Sequence, residues 1–323
     1  MRLSLLDRSR TRQGRPEVEG LTGSVQRAIN AEQLGYDRFW VAEHHAVPGI
    51  ASGAPPVLIA AIGAHTTDIR IGSGGVMLPN HQPLVVAEQF LMLDALYPGR
   101  IDVGIGRSLG FTPPVRRALR HDVDALDTFE ADLEELRDLL DGDADVTAHP
   151  VAQSPLPMSL LATGRGVEIA ARLGLPVVMG GPVIWEDAGA ESLAAYRRDF
   201  RPSKHSADPY VTISLDVTIA ADDATARELA LPEAWAMAVS KQIGEFPPLA
   251  SIASIREQSW NAQVTKRVER SLDQSVAGSP QTVRRALDDL AARTGADELM
   301  ASTSTFDRDD LFASDRALRD LLG

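Results

Sequence analysis

Eight short apolar runs punctuate the chain, and between them lie longer segments in which apolar positions return with a helical period. The runs are RLSLL (2–6), DRFWVA (37–42), IRIGS (69–73), RIDVGI (100–105), PMSLLA (157–162), LPVVMG (175–180), YVTISLDVTI (210–219) and DELMAS (297–302). The amphipathic segments cover 22–35, 54–66, 83–97, 122–141, 165–173, 188–199, 279–293 and 307–321. Strands that are almost continuously apolar belong in parallel sheets covered on both faces, and strand–helix alternation implies βαβ units. A closed sheet accommodates eight such units more economically than an open one. The pattern therefore predicts an α/β fold, an eight-stranded β/α barrel of the TIM type, spanning 1–323 as a single domain.

Two stretches break the rhythm. Residues 142–157 form a polar, proline-containing connection before the fifth strand. Residues 220–278 form an insertion between the seventh strand and the last helix pair, with helical pieces at 222–242 and 256–273. Within it, 243–256 (IGEFPPLASIASIR) carries a Pro-Pro break and small residues. That composition suits either a mobile lid over the barrel mouth or a packed surface excursion.

Composition narrows the class. With 323 residues, 44% hydrophobic and 24% charged, the chain has the balance of a soluble globular protein with a large core. A net charge of −13 repels phosphate backbones, so no nucleic acid partner is expected and any anionic ligand needs local basic groups. The absence of cysteine excludes disulfides, thiolate metal sites and a cysteine nucleophile, and is compatible with a reducing cytoplasm. The N-terminal MRLSLLDRSRTRQGR does not read as a secretory signal, and no apolar run approaches the roughly 20 residues that span a bilayer. A cytoplasmic location without membrane contact is the expectation.

In a β/α barrel the active site is assembled at the C-terminal ends of the strands, and the chemically active residues collect there. The second strand leads into Glu43, His44 and His45; the third into Ser73, Gly74, Gly75 and then Pro79, Asn80 and His81; the fourth into Gly106, Arg107 and Ser108. The fifth leads into Thr163, Gly164, Arg165 and Gly166, and the sixth into Gly180, Gly181 and Pro182. Histidine moves protons near neutral pH, and alternation along an extended chain aims His44 to one side and Glu43 with His45 to the other. Adjacent histidines do not share a strand face as a His-x-His metal pair does; His81 and His121 are further candidates from loops, but no metal is expected. The glycines at 72, 74 and 75 allow either a close approach to a flat ligand or a tight turn. Arg107 suits a phosphate or carboxylate, and Thr163-Gly164-Arg165-Gly166 opens a helix whose free N–H groups favour an anion. The plainer alternatives are an ion pair between Arg107 and a rim carboxylate, and Thr163 as a simple N-cap.

The stretch RFWVAEHHAVPGIASGAPPVLIAAIGAHTTDIRIGSGGVMLPNHQPLVVAEQFLMLDALYPGRIDVGIGR (38–107) resembles bacterial luciferase-like flavin-dependent monooxygenases, particularly the oxidoreductase subgroup with the VAEHH and GSGGVMLPNH signatures. LLATGRGVEIAARLGLPVVMGG (160–181) and GSPQTVRRALDDL (278–290) share the same pattern. The resemblance implies that His44 is the acid/base residue near a flavin ring, with His45 second. It implies a non-proline cis peptide at Gly74–Gly75 behind the ring, Arg107 on the flavin phosphate, and Leu160, Ala162, Thr163 and Gly166 at phosphate-loop positions, with Gly180 also in the cofactor-binding set. The chain departs from the pattern at Ala162-Thr163 followed by Arg165, where relatives carry a serine pair or an acidic-serine pair. It departs again at Gly181, where some relatives have a large aromatic, and at Gly106, which replaces a cysteine of true luciferases.

The activity implied is a flavin-dependent monooxygenase using reduced FMN and O2 on a small organic substrate, with a separate flavin reductase supplying the reduced flavin and a homodimer formed through the helices near 54–66 and 83–97. A deazaflavin-dependent dehydrogenase or reductase of the same fold and a non-catalytic flavin-binding relative are the alternatives. Substrate choice is expected to rest on Phe111, Trp185 and the 243–275 part of the insertion.

Overall fold

In a computed structural model, residues 1–109, 112–120 and 127–323 are described; the candidates Phe111 and His121, and the start of the helix expected at 122–141, lie outside them. The strands are β1 (Arg2–Asp7), β2 (Arg38–Val41), β3 (Arg70–Ser73), β4 (Val76–Met77), β5 (Ile101–Gly106), β6 (Met158–Leu161), β7 (Val177–Gly180), β8 (Val211–Leu215), β9 (Val217–Ile219), β10 (Val276–Gly278) and β11 (Glu298–Ala301). The helices are α1 (Val18–Leu34), α2 (Pro55–Gly63), α3 (Pro83–Leu96), α4 (Pro113–Ala118), α5 (Phe129–Asp141), α6 (Arg165–Leu173), α7 (Asp187–Asp199), α8 (Asp223–Ile243), α9 (Ile252–Arg256), α10 (Ala262–Asp273), α11 (Pro280–Thr294) and α12 (Arg308–Leu322).

All strand pairs are parallel and the sheet closes. Its order is β3-β2-β1-β11-β8-β7-β6-β5-β4, and the β3–β5 pairing joins its two ends. β4 is a two-residue continuation of the β3 wall, separated from it by Gly74–Gly75. Eight barrel staves result, as the alternation of runs predicts.

The period-2 alternation is visible in β2. Phe39 and Val41 join the large core between barrel and helices. Trp40 and Ala42 instead cluster with Leu6, Val178, Met300 and Leu161. Those residues come from β1, β6, β7 and β11 as well as β2, so they meet only by crossing the interior, and the barrel is filled rather than hollow. Charged groups occupy its N-terminal end, where Asp102 accepts from Arg38 (3.2 Å), Trp40 Nε1 (3.1 Å) and Arg70 (2.6 Å). That network faces away from the rim with the candidate site and serves the scaffold.

The run YVTISLDVTI does not remain one strand. Asp216 separates β8, a barrel stave, from β9, which leaves the barrel to pair with β10 outside it. β9 and β10 are the two ends of the insertion, so their ladder closes its neck. Beyond the neck α8 and α10 pack on each other through Ala230, Ala234, Ala238, Val264, Val268 and Leu272, with Trp235 and Trp260 stacked at 5.1 Å.

The 243–256 segment lies packed on the rim as a strap, the second of the two readings of its composition. Leu249 N–H donates to Thr11 O (2.9 Å), Gln13 N–H to Leu249 O (2.8 Å) and Gly49 N–H to Phe246 O (2.8 Å). The Leu249 side chain is fully buried. At Gly49 a Cβ would stand 2.2 Å from Pro247 O, so only glycine lets the strap lie this close. Among the described residues, no helix is long and apolar enough to cross a membrane.

Candidate active site

β2 ends at Val41, and the next four residues part to opposite sides. Glu43 is buried and turns toward the β3–β4 side. Its Oε1 accepts from His45 Nε2–H (2.6 Å) and His81 Nε2–H (2.7 Å), and its Oε2 from Met77 N–H (3.0 Å). Burial alone would raise its pKa, but these donors hold the carboxyl down at about 2, so it is ionised and can only accept. Glu43, His45 and His81 are also the one group among the described residues with donor atoms close enough to share a metal ion. Two imidazole N–H groups and one backbone N–H already account for their arrangement.

His44 turns the other way, toward the β1 end and the strap. Its ring lies 6.2 Å from that of Phe246, edge to face, and the Arg10 guanidinium stands 5.8 Å from the centroid of the same Phe246 ring. Burial, reinforced by the positive charges of Arg8 and Arg10, pushes the His44 pKa down to about 4. The imidazole is therefore neutral at pH 7. A neutral imidazole can accept a proton at one ring nitrogen and donate a hydrogen bond through the N–H of the other.

The charges around it were not singled out in the sequence. Arg8, just past β1, bonds Asp216 Oδ1 and Ser302 O at 2.6 Å each and stands 3.2 Å from Glu233 Oε1. Arg10 Nε–H donates to Glu233 Oε2 at 3.0 Å. Asp216 also accepts from Ser302 Oγ–H (2.8 Å), and burial raises its pKa despite Arg8. Four residues from the β1 loop, the β8–β9 break and α8 thus make a compact double ion pair beside His44. RSRTR in a loop looks like solvated charge, and only the fold sets Glu233, more than 200 positions away, against it. The one available signal was Asp216, a lone acid inside an apolar run.

The opposite part of the rim holds the anion-binding candidates. Pairing of Ile105 with Leu160 sets the Gly106–Arg107 end of β5 beside the Ala162–Thr163 end of β6. Arg107 is half exposed, lies over the Phe129 ring at 5.8 Å and is ion-paired with Asp127, the rim carboxylate of the plainer alternative. The N-cap of α6 is Gly164 at φ +53°, not Thr163, and no side chain caps this helix start. Thr163, Gly164 and Arg165 are exposed, Ala162 and Gly166 half-buried. Leu160 does not join them: its side chain is buried in the core between barrel and helices. Gly180, the last residue of β7, pairs with Ser214 of β8. Trp185, in the turn after β7, donates its Nε1–H to Gln274 O at 3.0 Å.

Between the two parts runs the Gly74–Gly75 peptide, which is cis. A Cβ at Gly74 would lie 2.4 Å from Leu6 Cδ1, and Gly74 N–H donates to Val41 O at 2.8 Å. The two glycines therefore lie against the barrel wall between the loops after β5 and β6 and the histidines.

Compared with known proteins, the chain matches the luciferase-like monooxygenase family over residues 1–298. A luciferase-like monooxygenase of Escherichia coli strain K12 is 37% identical over 312 residues, covering 94% of this chain and 92% of that protein. The solved structure of apo-MsnO8 is 34% identical with a TM-score of 0.88, covering 99% of this chain and 97% of the other. The oxygenating constituent of 3,6-diketocamphane monooxygenase of Pseudomonas putida, in complex with FMN, shares the fold at 17% identity and a TM-score of 0.76, covering 99% of this chain and 96% of that one. With the family matched over nearly the whole barrel and relatives above 30% identity along almost the full length, this chain belongs to the luciferase-like monooxygenase family.

Proposed function

We propose that this protein is a flavin-dependent monooxygenase that takes reduced FMN from a separate flavin reductase and uses it with O2 to oxidise a small organic substrate. The reading is carried by one juxtaposition: an uncapped helix start beside Arg107 on one part of the rim, a neutral His44 on the other, and a flat Gly74–Gly75 wall between them. Monooxygenase relatives and a fold neighbour holding FMN support it.

The donor set fits a flavin mononucleotide. The α6 N-terminus and Arg107 would hold the phosphate, with Asp127 giving way to it, because free backbone N–H groups and a guanidinium both favour a dianion. Gly74–Gly75 would leave room for a planar ring. When bound, reduced flavin supplies the electrons that O2 requires. The packed layer of Trp40, Leu6 and Met300 closes the floor of the site to water. His44, kept neutral, would accept a proton or offer its N–H at the reacting centre. Two features support the need for an outside electron source. Gly104 of the GIGRSLG stretch is required by barrel packing, since a Cβ there would lie 1.9 Å from Ser73 O, so Gly104–Gly106 is the end of a stave rather than the start of a dinucleotide turn. Among the described residues, the barrel and the small β9–β10 ladder are the only sheets, and neither is a nicotinamide-binding unit.

The test is an anaerobic titration with FMN, reduced FMN and a deazaflavin coenzyme, followed by mixing with O2. Preferential binding of reduced FMN that is then rapidly reoxidised is expected, with no NADH consumption until a reductase is added. Preference for the deazaflavin without oxygen reactivity would replace the proposal with a hydride-transferring dehydrogenase or reductase, and binding without turnover would leave a non-catalytic flavin-binding relative.

A further inference from the structure

Glu43 meets three donors with one carboxylate, and two of them are imidazoles from different loops. His45 comes two residues after it, whereas His81 comes from the turn after β4, 38 positions away. The Glu43 side chain has no exposure, and the rings it holds are 21% and 29% exposed. An ionised carboxylate has no proton to share, so each neutral imidazole bonded to it must carry its own proton on Nε2 and present a lone pair at Nδ1. No hydrogen bond to either Nδ1 occurs among the described residues. His45 Nδ1 looks toward Gly53, where a Cβ would lie 3.8 Å away, and His45 lines a groove of about 440 Å³ whose walls include Val18, Leu21, Val47 and Ile50.

We infer that Glu43 is a positioning residue which locks His45 and His81 together in the Nε2–H tautomer, so that this part of the rim offers hydrogen-bond acceptors, His45 Nδ1 first among them, to a ligand carrying an N–H or O–H group. The ligand is the organic substrate if the proposed oxygenase reading holds; the tautomer lock stands without it. Glu43 is suited to the task because burial keeps it from wandering and Met77 N–H fixes its second oxygen, leaving Oε1 to take both rings.

The experiment is long-range 1H–15N correlation NMR on protein labelled in its histidines, at a pH where both rings are neutral, with signals assigned through His45→Gln and His81→Gln. Both rings are expected as pure Nε2–H tautomers, and Glu43→Ala should turn both into tautomer mixtures. Glu43→Gln, which retains an acceptor oxygen and guards against a folding defect in the alanine variant, should keep at most one ring locked. An Nδ1–H tautomer at either position in the unaltered protein, or pure Nε2–H tautomers persisting in folded Glu43→Ala, would overturn the inference. Adding benzamide, which has N–H donors, should shift His45 Nδ1, and methyl benzoate, which has none, should not. Equal shifts, or none with benzamide, would refute the acceptor role while leaving the oxygenase reading to its own titration.

Discussion

Glu43 and His44 are adjacent in the chain, yet their surroundings drive both pKa values downward for opposite reasons. Donors crowd Glu43 and stabilise its charge, while burial and two arginines penalise the charge of His44. Both shifts weaken the fold in acid. An unfolded chain protonates His44 below its ordinary value of 6.5, and the native protein does so only near 4, so stability is lost as pH falls through that window; Glu43 adds a loss between 4.5 and about 2. Urea unfolding of His44→Ala should therefore depend less on pH between 6.5 and 4 than that of the unaltered protein. In turnover, His44→Ala should lower oxygenation by about 10²-fold or more while leaving flavin affinity nearly unchanged. A variant that turned over normally would remove His44 from the chemistry. Arg107→Ala should weaken FMN by roughly 10- to 100-fold, the scale of one charge-assisted hydrogen bond, and leave riboflavin almost unaffected. Asp127→Asn should tighten FMN, because it frees Arg107 of its competitor; equal losses for FMN and riboflavin in Arg107→Ala would contradict the phosphate role.

Elements rather than single residues set the walls around His44. The strap is held by three backbone hydrogen bonds to the loops after β1 and β2, and Arg10 reinforces it with bonds to Gly49 O (3.0 Å) and Pro247 O (3.4 Å). The same arginine clasps Glu233 on α8, so the insertion is fastened to the rim by its helix and by its strap. Gly49→Ala should lift the strap, since the new methyl meets Pro247 O. Faster limited proteolysis near 243–250 and an upward move of the His44 pKa are the expected readouts. Unchanged cleavage and an unchanged pKa would mean that the strap does not wall the site. Leu249→Ala should reproduce the effect through a lost core contact of about 2–5 kcal/mol.

The surface of the whole molecule leaves apolar side chains exposed on two neighbouring helices. Val57 on α2 is 72% exposed, and Met92 and Leu96 on α3 are 55% and 63% exposed. These two helices supply more apolar surface than a barrel-facing stripe requires, which is the signature of a second packed face. A homodimer is the expected state, and sedimentation equilibrium at micromolar concentration should find it. Met92→Glu with Leu96→Glu should yield a folded monomer, since neither side chain is needed in the core. A monomeric unaltered protein would contradict the assignment.

The barrel was legible in the sequence because a buried parallel strand must be apolar along its length and its covering helix must be amphipathic; both requirements are local and leave a periodic trace. That His44, His45, Arg107 and the Gly74–Gly75 pair lie at one rim was legible for the related reason that a barrel gathers the residues just past each strand at the same end. The opposite directions taken by His44 and by Glu43 with His45 were also visible, because alternation of side chains outlasts β2 by a few residues. Other features depended on contacts between distant parts of the chain. Nothing local in Glu233 marks it as the partner of Arg8 and Arg10, nothing in Pro247-Pro248 distinguishes a lid from a strap, and nothing in Asp216 announces that β8 ends there. The tertiary structure decided these, and with them the neutrality of His44. Desolvation and Coulomb interaction depend on distance in space, and the closed barrel brings residues separated by hundreds of positions within a few ångströms of one another.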